Sequence, residues 1–404
     1  MRLVGVLAVV VLAGTLVSGC DKRAGLLAEQ RGAAEQPGAR RPGATTSKEP
    51  PPQAWRIAGS AETKPTSVLW DVVAVDATHA WAVGHDSYDP ERSDTTGVPI
   101  VERWDGTTWT RAELPRVTWH GGLSLVAADA PDNVWALGGR GGSDPAQTET
   151  HLFRYDGTTW AEVPFPPAKG TTITDIAVSG GHTWLVGYHG GDVVIQEWDG
   201  SAWQQHQPPA ECTRGGTSFG GMPTFCNFTG MVAFGPSDVW VAGNAAWPGF
   251  KGPLLFHWDG AVWKPVQVGV NDDDTAFSEI AGTPGDLWAV GNTSGYGGPV
   301  AAHGDGKKWR MVEGLATARI TDVAVDDAGC PWVLENSPAP AATFATYRDR
   351  RWTRTDAPRP DETVGISLHG ITAIPGTPNM LAVGDVDLPG EPRMLQSVVL
   401  EYRS

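Results

Sequence analysis

Three carboxylates recur at one place in a repeated pattern. Alanines stand seven or eight residues before each "WAVG"-type string, at Ala74, Ala127, Ala177, Ala233, Ala281, Ala324 and Ala373. Two residues before each alanine the chain reads Val72, Leu125, Asp175, Met231, Glu279, Asp322 and Ile371. If the acids Asp175, Glu279 and Asp322 point along a shared axis, they can hold a cation such as calcium or bind polar ligand groups. Paired acids at the mouth of such a channel would also suit a hydrolase or lyase acting on polysaccharide. If they turn into a packing interface, they accept backbone hydrogen bonds instead. Nothing else in the chain reads as a catalytic or metal motif. The ten histidines show no HxH or HExxH spacing, and no GxSxG or P-loop string occurs. The expectation is therefore no catalytic residue, no dedicated metal set and no cofactor.

Aromatic residues offer a second chemistry, the stacking of a sugar ring or the anchoring of a protein partner. Sixteen of the nineteen tryptophans fall into repeat registers, and Trp70 matches an apolar position seen again as Leu123, Ile173 and Ile320. Trp119, in "RVTWHGG", and Trp247, in "AAWPGFKGP", fit no register. With His120, Phe250 and Tyr296 nearby in variable loops, they are the candidate ligand-binding residues. Cys212 and Cys226 bracket a Gly-rich insertion and are expected to pair, because the start of the chain reads as an export signal. Cys330 has no evident mate and reads as a small buried apolar group.

These residues must be held by short strands. The strand tryptophans Trp81, Trp135, Trp184, Trp240, Trp288 and Trp332, with Leu381 as a seventh, are spaced 44 to 56 residues apart. Each unit runs strand, tight turn, "WAVG" strand, variable loop, strand, Asp-Gly turn and strand, with no helical period. Seven four-stranded units of this length predict an all-β, seven-bladed β-propeller of antiparallel blades. The last unit stops at "SVVLEYRS" without a fourth strand, whereas "AWRIAG" precedes the first complete unit. Residues 54 to 58 are therefore expected to close the seventh blade beside residues 397 to 402, removing two open sheet edges.

The turn strings "RWDGTTW", "RYDGTTW", "EWDGSAW" and "HWDGAVW" pair two aromatics across a loop in which Gly takes a positive φ and Asp accepts amide hydrogen bonds. They resemble the Asp-box turns of sialidase-like propellers. Residues 54–404 resemble exported bacterial proteins built from "DVWAVG…WDGxxW" repeats, and also propellers like the central domain of galactose oxidases. The resemblance implies the fold far more than any activity, because propellers host many functions. A sialidase would need an arginine triad and a tyrosine nucleophile, but Arg92, Arg116, Arg140, Arg214 and Arg319 are scattered. A copper radical oxidase would need a Tyr near a free Cys and two His ligands, which are not evident.

The address comes from the first residues. A charged start, an apolar run from Leu3 to Val17 and the string Val17-Ser18-Gly19-Cys20 read as a signal peptide over 1–20. The ending resembles the bacterial lipobox, which implies that Cys20 carries lipid. Residues 21–53 are rich in Ala, Gly, Pro and Arg and read as a disordered tether. Of the total charge of −16, residues 1–20 hold +1 and 21–53 hold +2, leaving −19 on the repeats. Such a charge repels nucleic acid and anionic headgroups. The sequence thus predicts a monomeric, lipid-anchored propeller on the outer face of the bacterial cytoplasmic membrane. It would touch the membrane only through its lipid and bind a carbohydrate or an envelope protein through its variable rim. A polysaccharide-acting hydrolase or lyase, and a non-catalytic assembly scaffold, are the competing readings.

Overall fold

A computed structural model describes residues 54–404 apart from 65, 93–95, 141–148, 165–168, 214–224, 248–249, 270–273, 294–297, 316–318, 337–340 and 391–392. Within those residues the chain forms seven four-stranded antiparallel sheets. The innermost strands are Val68–Asp76, Gly122–Ala130, Thr171–Ser179, Phe225–Ala233, Thr275–Thr283, Arg319–Val325 and Gly365–Ala373, in blades 1 to 7. They touch one another in cyclic order and so surround an axis. The seventh blade is closed by the first strand, Ala54–Ile57, which pairs with Met394–Arg403 in the register Trp55↔Tyr402.

The repeated aromatics account for how the blades adhere. The "WAVG" tryptophan of one blade packs on the turn aromatics of the next: Trp135 on Trp198 and Trp203, Trp184 on Trp258 and Trp263, Trp288 on Tyr347 and Trp352. Aromatic pairs of this kind contribute about 0.5–1.5 kcal/mol beyond the area they bury. The closing blade obeys the same rule, because Trp332 of blade 6 meets Trp55 and Tyr402. Trp55 also stacks on Phe344 with ring centroids 3.6 Å apart. The ring is therefore sealed by the contact used between ordinary neighbours.

The Asp-Gly turns work as a local clamp. Asp105 Oδ1 accepts the amides of Thr107 and Thr108 at 2.8 Å, and Asp156, Asp199, Asp259 and Asp305 repeat the arrangement. Hydrogen bonds to the ionised form hold these carboxyls below the usual range. Blade 6, with "YRDRRW", replaces the clamp by a two-residue turn in which Asp349 and Arg350 take φ of 50° and 60°.

Every inner strand carries a β-bulge at its third or fourth residue or close to it. The bulge explains the glycine of "WAVG". A Cβ on Gly84 would lie 1.9 Å from the Val68 carbonyl oxygen, and one on Gly243 1.9 Å from that of Asn227. Blade 6 departs again, placing the buried Glu335 there against Arg354 Nε at 2.6 Å and Thr343.

Candidate functional site

The bulge also shifts the register on which the acids were aligned. Strand pairing sets Val73, Val232 and Thr372 opposite Trp81, Trp240 and Leu381, where blades 2, 3, 5 and 6 have the repeat alanine. In blades 1, 4 and 7 the alanine thus comes one residue later. The residues equivalent to Asp175, Glu279 and Asp322 are Asp71, Leu125, Gly230 and Gly370; Leu125 keeps its place, and Val72, Met231 and Ile371 do not. Four acids share the position, and the sequence alignment missed Asp71.

These four carboxyls accept hydrogen bonds from seven backbone amides. Asp71 takes those of Val72 and, across the blade interface, Val126. Asp175 takes Ile176 and Met231, Asp322 takes Val323 and Ile371, and Glu279 takes Ile280. The amide just past the bulge is capped in every blade. Burial raises Asp71 to about 7 and Asp175 to about 8, the amide bonds opposing it. Glu279 and Asp322 are pushed well up by burial and then by neighbouring acids, so the four carboxyls feel one another around the axis. Among the described residues, no three His, Cys, Asp or Glu are grouped to hold a metal ion. Asp71, Asp175 and Asp322 each join two blades, and Glu279 caps an amide of its own strand.

The bulged residue itself points to a different place. It is Ser124, Thr174, Thr229, Ser278 and Thr321 in blades 2 to 6, and each hydroxyl donates to a carbonyl of its own or the next blade. In blades 1 and 7, which are neighbours, it is Trp70 and His369. Leu69, not Trp70, is the residue that matches Leu123, Ile173 and Ile320, so the apolar register assigned to Trp70 is corrected. Trp70 is 39 % exposed. Its indole Nε1 donates to His85 Nδ1 at 3.2 Å, and its ring lies 4.5 Å from that of His369. His369 is in turn held by Asp385, Nε2 to Oδ1 2.8 Å. Burial keeps His85 below the usual histidine range, so its neutral ring accepts the indole N–H and leaves Nε2 as a donor.

Trp70 and His85 line a groove of about 300 Å³ that runs over blades 1 to 3. Arg140, Glu149 and Thr150 line it too, at the ends of the strands that flank a loop between second and third strands, which places it on the variable rim. Gly122, Gly138 and Gly139 add only backbone to the lining. A side chain at 139 could not be accommodated, because its Cβ would lie 1.8 Å from the Glu149 carbonyl oxygen.

The residues singled out in the sequence are placed differently. Trp119 is half-buried, stacked flat on His151 with centroids 4.4 Å apart and packed beside Leu114 and Val117. His120 is exposed beside it. The backbones of Trp247 and Phe250 pair across the end of a hairpin; their side chains, and all of Tyr296 and Cys20, lie outside the described residues. Cys212 and Cys226 are joined, with Cα atoms 5.3 Å apart. Cys330 is buried but disulfide-bonded, which corrects its reading as an unpaired apolar group; its partner lies outside the described residues.

No protein-family model matches the chain, and a search of curated proteins finds no match. Solved structures do resemble it. A YCF48 structure bound to a D1 peptide aligns at 14% identity over 87% of this chain and 96% of that one, with a TM-score of 0.50. The GH74 xyloglucanase of Xanthomonas campestris aligns at 16% identity and TM-score 0.53, over 86% of this chain but only 55% of the enzyme. The β-propeller domain of the Trilobed protease from Pyrococcus furiosus aligns at 9% identity over 82% and 93% of the two chains, TM-score 0.51. At these identities the likeness shows the fold. The chain is a seven-bladed β-propeller.

Proposed function

We propose that the protein is a recognition propeller that works outside the cytoplasmic membrane and binds its ligand, a carbohydrate or an envelope protein, at the variable rim. One observation carries the binding site. At a position where five blades use a hydroxyl to hold a carbonyl, the adjoining blades 7 and 1 use aromatic rings, and one of these is exposed beside a groove. Binding residues concentrate on irregular loops over a rigid scaffold. A peptide-bound YCF48 structure on the same fold is compatible with such a role.

Photo-crosslinking tests the rim. A benzoylphenylalanine in place of Arg140 should form adducts in an envelope extract, and one in place of Val262, exposed in an Asp-Gly turn, should not. Adducts from position 262 alone would overturn the assignment.

A further inference from the structure

We infer that the groove beside Trp70 is a saccharide site, in which the apolar face of one neutral sugar ring stacks on the indole and its hydroxyls meet the polar side chains that line the same groove. The inference rests on the variable rim being the binding face and adds the class of ligand.

Three observations converge on that class. Trp70 has its N–H engaged by His85, so what it offers to a ligand is ring surface rather than a hydrogen bond. His369 backs the indole and is itself fixed by Asp385, which holds the platform in one orientation before any ligand arrives. The lining also carries a donor-only group, Arg140, an acceptor-only group, Glu149, and the hydroxyls of Thr150 and Ser124, which donate to the Thr171 and Leu137 carbonyls and keep lone pairs to accept. A sugar, with a C–H face on one side and alternating donors and acceptors on its edge, matches such a pairing of surfaces, whereas an apolar peptide anchor would leave the polar lining unsatisfied.

Charge and size narrow it further. Glu149 is paired with Lys169 at 3.6 Å, and the domain as a whole carries −19, a field that does not draw an anion to the groove. A volume of about 300 Å³ is at the small end for ligand sites and suits one or two rings.

The test is calorimetric titration of the folded protein with methyl glycosides of glucose, galactose, mannose and N-acetylglucosamine and with their β-linked disaccharides. Saturable binding of at least one is expected, weakened about tenfold by Trp70→Ala, restored in large part by Trp70→Tyr, and unchanged by Val262→Ala. Trp70 is exposed, so Trp70→Ala should keep its melting temperature, and circular dichroism checks that it does. Equal binding by wild type and Trp70→Ala would overturn the platform. Absence of binding across the panel would overturn the saccharide assignment. Should position 140 then crosslink to a protein, the rim remains the binding face and its ligand is a polypeptide. Adducts from neither position would remove both readings.

Discussion

In blades 3 and 4 the bulged residue is a threonine whose hydroxyl reaches into the next blade, Thr174 to the Phe228 carbonyl at 2.6 Å and Thr229 to that of Phe277 at 2.9 Å. In blades 7 and 1 the same backbone feature carries His369 and Trp70, and no such bond crosses from one to the other through these residues. The seam between blades 7 and 1 is held by other means. Ser67 and Thr63, in the segment that follows the first strand, bind Ser397 and Gln396 of the last strand. Leu381 and Val399 pack under Trp104 and Trp109. A repeat position can be released for another use where the chain supplies a second way to hold the joint, and here that happens where its two ends meet.

The largest effect should come from breaking the closure. Trp55→Ala removes a buried ring stacked on Phe344 and is expected to cost about 3–5 kcal/mol in denaturant unfolding. Next are the acids that cap two amides. Asp322→Asn sets an amide NH₂ against a backbone N–H and should cost about 1–3 kcal/mol. Glu279→Gln, with one amide to hold among the described residues, should cost less; equal losses would mean that the interblade bonds contribute little. Thr174→Val should cost about 1 kcal/mol, by leaving the Phe228 carbonyl without its hydroxyl. Trp70→Ala, at the equivalent place, should stay within about 0.5 kcal/mol of wild type. A large loss there would make Trp70 structural and erase the contrast.

The acids also set a pH dependence. Asp71, Asp175 and the buried Glu102 have folded-state values raised to about 7 or 8, above their unfolded values. The folded state then holds protons that the unfolded chain has lost. Their stabilising contribution is complete below the unfolded carboxylate range and is lost as pH rises toward 8. The melting temperature should be higher at pH 5.5 than at pH 8.5. Replacing the axial acids should flatten that slope, whereas Thr174→Val should leave it intact.

The ring, its seven units, the closing strand and the turn chemistry were all legible in the sequence, because they depend on spacing that repeats. Trp55 opposite Tyr402 could be read from a missing strand at one end and an extra aromatic at the other. The site was not legible, for a local reason. Bulges put two residues of one strand against one of its neighbour, and alignment on the alanines absorbed the offset in blades 1, 4 and 7. That slip concealed Asp71 and filed Trp70 among core residues. Alignment on the apolar residue before the bulge, Leu69, Leu123, Ile173 and Ile320, would have displayed Trp70 and His369 among serines and threonines. Trp119 drew notice for standing outside every register, yet its ring lies flat on His151. Being out of register did not make it available.

The direction of the first strand has a bearing on how the molecule is presented. Ala54 lies opposite Arg403, at the end of the seventh blade where the Asp-Gly turns gather, and Ile57 lies toward the variable rim. The polypeptide enters the wheel from its uniform side. Any attachment made through the residues before Ala54 grips the disc from beneath and holds the face bearing Trp70 outward, so that a ligand can reach it without passing the anchoring surface.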